Sequence, residues 1–397
     1  MSTETDNRIK EAVGKHFDRA KGLCADLASH PEISGEEHES SAKFVGALKS
    51  AGYRLEYPYC GMKTAFRAVL ENGEGPAAAI LAEYDALPGI GHGCGHNLHG
   101  SLSVLAGLAL AELKDLFRGT LYVIGTPDEE VSGGKIAMAD RGVFDGLSLA
   151  VMMHSCAGGF CQADMDALSL RSYTVTFSGQ TAHVAASPWK GRSALAAARK
   201  FLDLVDARRE CFTPDVKVNA IFKDGGEAVN VIPARAEIRI EFRTDAMGKL
   251  AVVDDAIKKC ARGAAIAMDC EESLRLNYDD FADMVRILPL EDGVERIFSS
   301  LGLRTEPVSP PIGSTDMGNV SYRCPAIQPL ISISDEALSL HTKEFAAATC
   351  RKEAWESMSL GAEALAILVL KVFNDEDFRR KTGDEFQKRL ELKRGRL

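Results

Sequence analysis

The run Ala77–Glu83, nearly all apolar, is the feature that most narrows what this chain can fold into. An apolar stretch of that length, with no polar alternation, suits a strand covered on both faces, and such strands need helices on both sides of their sheet. The flanking pattern agrees. Residues 8–29 and 39–51 carry helical periodicity, and Tyr53–Tyr57 and Thr64–Leu70 are predicted as strands. A Gly/His-rich loop follows from Leu87 to Asn97, then a helix from near Ser101 to Leu113 and a buried strand, Thr120–Gly125. A helix near Lys135–Asp140 and a strand over Leu149–His154 complete a β–α–β–α–β alternation, which predicts an α/β sheet.

From Ser169 the pattern changes. Strands are predicted at Arg171–Ser178, Val216–Phe222, Ala236–Arg243 and Ala264–Cys270, with helices over Arg192–Ala207 and Lys249–Arg262. That order, β-α-β-β-α-β, is the signature of a small two-layer α+β domain. The alternation then resumes, with a strand near Ala326–Ile333, a long helix near Lys343–Phe373 and a charged tail. The economical reading is one α/β domain (residues 1–168 and 280–397) interrupted by an inserted α+β domain over 169–279.

Composition excludes several classes of function. Lys plus Arg is 47 against 57 Asp plus Glu, a net charge of −10. That balance opposes binding to nucleic acid or an anionic membrane surface. No stretch approaches the roughly 18 apolar residues of a spanning helix, and Met1–Lys10 is polar, without an apolar signal core. The 10 cysteines are scattered, none at C-x-x-C spacing. They are expected to be reduced thiols in a cytoplasm.

Ligands of open α/β sheets bind beyond the carboxyl ends of the strands. Three polar clusters fall there. Asp85, His92, Cys94, His96 and His99 follow one strand, Asp128, Glu129 and Glu130 follow the next, and His154 ends the third. Singly, each has an ordinary explanation: a buried thiol, a satisfied core histidine, acids at a helix start. His92 and His99 are best explained as loop and helix-cap residues. Jointly, Cys, His and Glu at adjacent strand ends are the donors a borderline-soft divalent metal such as zinc requires. The glycines of Gly89–Gly95 do not fit G-x-G-x-x-G, which disfavours a nucleotide-binding oxidoreductase, and no G-x-S-x-G or H-E-x-x-H occurs.

Glu83-Tyr84-Asp85-Ala86-Leu87-Pro88, followed by Gly91-His92-Gly93-Cys94-Gly95-His96-Asn97, resembles a signature of the aminoacylase-like, glutamate-carboxypeptidase-like metallopeptidase family. Within it the Cys-Gly-His form is similar to the amidohydrolase branch. Further matches run in order along nearly the whole chain: His30-Pro31-Glu32, Gly125 through Glu130, Gly179 through His183, Gly226 through Pro233, Arg243-Thr244-Asp245, Gly313 through Asp316, and His341-Thr342. The resemblance implies a mixed-sheet, zinc-peptidase-like α/β catalytic domain with an inserted α+β lid that dimerises. It implies Cys94, His96, Glu130, His154 and His341 as ligands of one or two divalent metals (Zn or Mn), and Asp85 as the acid behind a ligand. Glu129 would be the general base, and His183 would reach the substrate carbonyl, usually across a dimer. Asn230 and Arg243 would lie near the substrate carboxylate.

The chemistry stands independently of the resemblance. An amide is a poor electrophile and water a poor nucleophile at neutral pH. A metal can lower the pKa of bound water to about 7 and polarise the carbonyl. A carboxylate beside the water can move its proton to the leaving amine. The expected function is a cytoplasmic, metal-dependent amidohydrolase acting on an N-acyl amino acid or small dipeptide. An aryl-acyl glutamate of the p-aminobenzoyl type is the alternative substrate, and a metal- or ligand-binding protein without catalysis is the rival of another class. Five side chains fill fewer than the eight positions that two four-coordinate metals need, so a single or weakly held second metal is an open alternative.

Overall fold

The computed structural model describes residues 3–394. In chain order the first elements are α1 (Thr3–Ser29), α2 (His38–Ser50), β1 (Arg54–Glu56), β2 (Phe66–Asn72), β3 (Ala77–Ala82), α3 (His96–Glu112), β4 (Gly119–Gly125), α4 (Gly134–Asp140), β5 (Leu149–Val151) and β6 (His154–Cys156). Then come β7 (Ser169–Ser178), α5 (Ala194–Arg208), β8 (Lys217–Asp224), β9 (Arg235–Thr244), α6 (Met247–Ala267) and β10 (Glu271–Leu276). The last are α7 (Leu288–Ser300), α8 (Met317–Ser321), β11 (Ala326–Ile327), β12 (Leu330–Ser332), α9 (Lys343–Ala348), α10 (Lys352–Asn374) and α11 (Glu376–Arg394). The described residues divide into two compact units: Thr3–Asp166 with Met284–Leu392, and Ala167–Asp283 with Lys393 and Arg394.

The first unit carries a six-stranded mixed sheet in the order β1-β2-β4-β3-β5-β11. β3 lies parallel between β4 and β5, and every residue from Ala78 to Ala82 is buried. That is the environment its unbroken apolar run demands. β2 runs antiparallel to β4. α3 packs on β3, and α1 and α10 pack on α3, so three helices bury one continuous apolar core. A short parallel pair, β6 with β12, stands apart from the main sheet.

The second unit is an antiparallel sheet in the order β10-β7-β9-β8 with α5 and α6 on one face. Burial along β9 alternates residue by residue, placing Ile238, Ile240 and Phe242 against Phe201 of α5 and Leu250, Val253 and Ile257 of α6. The period of two is what a strand with one wet face requires.

Several boundaries differ from the sequence expectation, among them the strand expected over Leu149–His154, which is split into β5 and β6. The segment Ala264–Cys270 is not a strand: α6 continues to Ala267, because Ala261, Ala264 and Ala265 are buried in its core at helical spacing. Asp269, at φ 51°, then turns the chain into β10. The expected strand over 326–333 is split at Pro329, which has no N–H to give a ladder. The long C-terminal helix breaks between α9 and α10, where the Thr349 hydroxyl donates back to the Ala346 carbonyl at 2.8 Å.

Candidate metal centre

The site is assembled at the carboxyl ends of β3, β4 and β5. Beyond β3 the chain presents Glu83 and Asp85, two residues apart, while Tyr84 between them is buried with its hydroxyl donating to the Thr64 carbonyl at 2.7 Å. The following loop closes through reciprocal bonds between Leu87 and Gly91 and delivers Cys94. Gly95, at φ 86°, then starts α3 five residues earlier than the apolar pattern suggests. Its αL conformation favours glycine, and a Cβ there would also stand 2.8 Å from the Cβ of Ser155. Starting the helix at His96 places His96 and His99 at i and i+3, on one face. Gly100 lets that face approach β3, since a Cβ would lie 1.9 Å from the Glu83 carbonyl oxygen.

His96 is fully buried, and its Nδ1 lies 2.7 Å from Asp85 Oδ1. The other Asp85 oxygen accepts from the Glu130 N–H at 3.0 Å and the Ser34 hydroxyl at 2.8 Å. Asp85 thus fixes both a histidine and the loop carrying the acids. His96 Nε2 is 3.9 Å from Glu130 Oε1 and 3.5 Å from Glu83 Oε2. Both His96 Nε2 and Glu130 Oε1 are buried with no hydrogen-bond partner. Cys94, His96 and Glu130 each offer a ligand atom within 4.8 Å of the others. Cys94 Sγ is 3.5 Å from His154 Nε2, whose other ring nitrogen lies 2.9 Å from the Ser155 carbonyl. His341 enters from a loop in which it adopts φ 63° and donates its N–H to the Gly93 carbonyl at 2.8 Å. Its Nε2 is 3.5 Å from Glu130 Oε2.

The fold therefore brings together Cys94, His96, Glu130, His154 and His341, with Asp85 behind them. Two orphaned buried atoms facing each other are costly unless something sits between them. A thiol, three imidazoles and a carboxylate are the donor chemistry of a zinc-like cation, so the residues fit a metal. Burial opposes ionisation of Asp85, but the neighbouring His96 outweighs it and holds the carboxyl below its usual range. Burial likewise opposes a charged His96, yet Asp85 and Glu83 raise its pKa well above that of a free imidazole. Burial lowers His154 to about 3, leaving it a neutral donor. Burial raises the Cys94 thiol, so ligation there must expel a proton.

Three residues to which the sequence alone assigns no role stand against this cluster: Glu83, Lys135 and Asp316. Glu83 accepts from Lys135 Nζ at 2.5 Å and pairs with His99 Nε2 at 2.9 Å. Lys135 Nζ also donates to Asp316 Oδ1 at 2.7 Å. Glu129 joins Glu83 and Asp316 in a set of carboxylate oxygens within 4.8 Å of one another. Burial, then Glu83 and Asp316, push the Glu129 carboxyl well above its usual range. His99, in the first turn of α3, is fully buried, and Glu83, His96, His99 and His154 each offer a donor atom within 4.8 Å of the others. Its i+3 spacing from His96 is the signal that points to this. His92 is buried with neither ring nitrogen hydrogen-bonded and joins none of the donor clusters among the described residues.

His183, Asn230 and Arg243 lie in the second unit. His183 is exposed and bridges to Val231, and the Asn230 carbonyl accepts from the Val184 N–H at 3.0 Å, so those two share one loop pair. Arg243, near the end of β9, pairs with Glu241 at 2.8 Å.

Comparison with known proteins identifies the family. The mouse (Mus musculus) Xaa-Arg dipeptidase is 32% identical over 382 residues, covering 92% of this chain and 88% of the relative. One of the polypeptides of p-aminobenzoyl-glutamate hydrolase from Escherichia coli K12 is 31% identical over 291 residues, covering 68% of this chain and 60% of the relative. A dinuclear metal-binding peptidase of Bacillus subtilis shares the fold, with a TM-score of 0.71 at 20% identity over 91% of this chain and 99% of that one. Residues 79–366 match peptidase family M20/M25/M40, and the chain belongs to that family of metal-dependent hydrolases of amide and peptide bonds.

Proposed function

We propose that this chain is a metal-dependent hydrolase of N-acyl amino acids or small dipeptides, with Cys94, His96, Glu130, His154 and His341 as ligands and Glu129 as the base. The observation that carries the reading is the pair of buried, unpartnered atoms His96 Nε2 and Glu130 Oε1, 3.9 Å apart, beside Cys94. A bound divalent metal, zinc or manganese, would supply Lewis acidity toward the carbonyl and lower the pKa of water to about 7. Asp85 orients His96 and makes it a better donor. Glu129, adjacent in sequence to a ligand, takes the proton of the attacking water and delivers it to the leaving amine. In the second unit His183 donates to the developing oxyanion. Arg243, with Asn230, holds the substrate carboxylate through its planar fork.

A dipeptide ending in a basic residue is the first substrate class to try, because the Xaa-Arg dipeptidase similarity spans more of both chains than the p-aminobenzoyl-glutamate hydrolase one. The latter supports an aryl-acyl glutamate as the second class. Dimerisation through the second unit is supported by β8, an edge strand whose Ile221 and Phe222 are exposed. A reducing compartment, the cytoplasm, is supported by the 10 cysteines, all of them free. No helix among the described residues is long and apolar enough to cross a membrane.

The test is Glu129→Gln in metal-loaded protein, with metal content by mass spectrometry and release of amine from alanyl-arginine and p-aminobenzoyl-glutamate. The expected result is unchanged metal and loss of turnover by about 10²-fold or more, the scale of general base catalysis. Turnover near that of the unaltered protein would sink the assignment of the base.

A further inference from the structure

Behind the ligand set, the first unit gathers three carboxylates from three separate elements. Glu83 follows β3, Glu129 follows β4 and Asp316 precedes α8, with oxygens within 4.8 Å of one another. Three converging acids form a cation site, and here the cation is the protein's own. Lys135 is fully buried, and its Nζ stands 2.5 Å from Glu83 Oε1 and 2.7 Å from Asp316 Oδ1. Its backbone N–H donates to the other Asp316 oxygen at 2.9 Å, so Lys135 is held at both ends by one acid. Glu83 is steadied further by His99. Glu129, the third member of the trio, lies within the field of that ammonium.

We propose that Lys135 is a positioning residue: the resident cation that neutralises Glu83 and Asp316 and thereby keeps the Glu129 carboxylate seated beside the ligand Glu130. Without it, two like charges within 4.8 Å would drive that carboxylate away from its place. The proposal rests on the reading of Glu129 as the base. A merely structural triad, tying the segment after β3 to α4 and to the start of α8, would affect folding but not turnover selectively.

The experiment uses full-length, metal-loaded protein and whichever amide the unaltered protein cleaves in a panel of dipeptides and N-acyl amino acids. The variants are Lys135→Met, Lys135→Ala and the charge-balanced double variant Glu83→Gln with Lys135→Met, since removing both partners of a buried pair is tolerated better than removing one. In folded variants, kcat is expected to fall about 100-fold, the cost of a reacting group misplaced by an ångström. KM and metal equivalents should stay within about twofold of the unaltered protein, and methylammonium should restore part of the loss in Lys135→Ala. A folded variant with unchanged kcat, or one whose loss tracks lost metal, overturns the proposal. So does failure of all three to fold, which leaves the triad a structural clamp. If Glu129→Gln turns over normally, or the unaltered protein cleaves nothing in the panel, the base reading itself has failed and the proposal goes with it. Inactive Glu129→Gln beside fully active Lys135 variants refutes the proposal alone.

Discussion

Asp85 Oδ1 lies 2.7 Å from His96 Nδ1, both side chains fully buried, and this one contact leaves Nε2 as the open nitrogen of the ring. The carboxylate fixes the orientation of the imidazole, with Nδ1 turned to it, before any ligand arrives. Its second oxygen simultaneously holds the Glu130 N–H, so the segments carrying His96 and Glu130, the proposed ligands, are registered by one acid.

Asp85→Asn keeps the shape and removes the charge. Metal affinity is expected to fall about 10- to 100-fold, as for other partners of ligating histidines. Titration with zinc against a competing chelator measures it, and an unchanged dissociation constant would mean Asp85 serves the fold alone.

Lys135→Met strands Glu83 and Asp316 as buried charges sharing no cation. The expected destabilisation is about 3–5 kcal/mol, read from urea unfolding midpoints. The double variant with Glu83→Gln should recover part of that loss, and equal stability of single variant and unaltered protein would contradict the ion triad.

Asp164 sets a pH dependence away from the site. Its Oδ1 accepts from the Met165 and Gln328 N–H groups, each at 2.9 Å, while Oδ2 is buried without a partner. Burial, with Glu291 adding to it, pushes the carboxyl up to about 8. An unfolded aspartate titrates near about 3.9. Below that pH the group is protonated in both states and its contribution is fully present. Between about pH 4 and 8 only the unfolded chain ionises, so stability is lost as pH rises. Asn cannot ionise. Relative to the unaltered protein, Asp164→Asn should therefore gain roughly 1–2 kcal/mol per unit from about pH 5 to 7. A stability difference that does not move with pH would refute the assignment.

Metal removal should weaken the first unit, because the ligand cluster then buries unpartnered donors. Chelated protein is expected to melt lower, and the midpoint should climb with added metal. The gain is about 2.7 kcal/mol at a hundredfold excess over the dissociation constant. Superimposable melting curves with and without chelator would argue that no metal binds the folded state.

Much of this architecture is legible in the sequence because its signals are local. The apolar run of β3 and the alternation along β9 each report their own burial, and Cys94, Glu130 and His154 stand at strand ends where ligands are expected. What the sequence hides is non-local. Lys135 and Asp316 are 181 positions apart, and neither looks unusual until the fold joins them. The start of α3 is invisible to periodicity because His96-Asn97-Leu98-His99-Gly100 has no apolar repeat; its burial serves chemistry rather than packing. With that start goes the shared face of His96 and His99. The segment Ala264–Cys270 is ambiguous for the opposite reason, since small apolar residues suit a buried helix end as well as a strand.

Metal-dependent cleavage of a small amide is directly measurable. The direct measurement incubates zinc- or manganese-loaded protein with a panel of dipeptides, N-acyl amino acids and p-aminobenzoyl-glutamate, with and without chelator, and detects released amine by mass spectrometry. Release is expected from at least one member, abolished by chelator and by Glu129→Gln. Release that persists in chelator-treated, metal-free protein, or no release from any member by protein with metal bound, would contradict it.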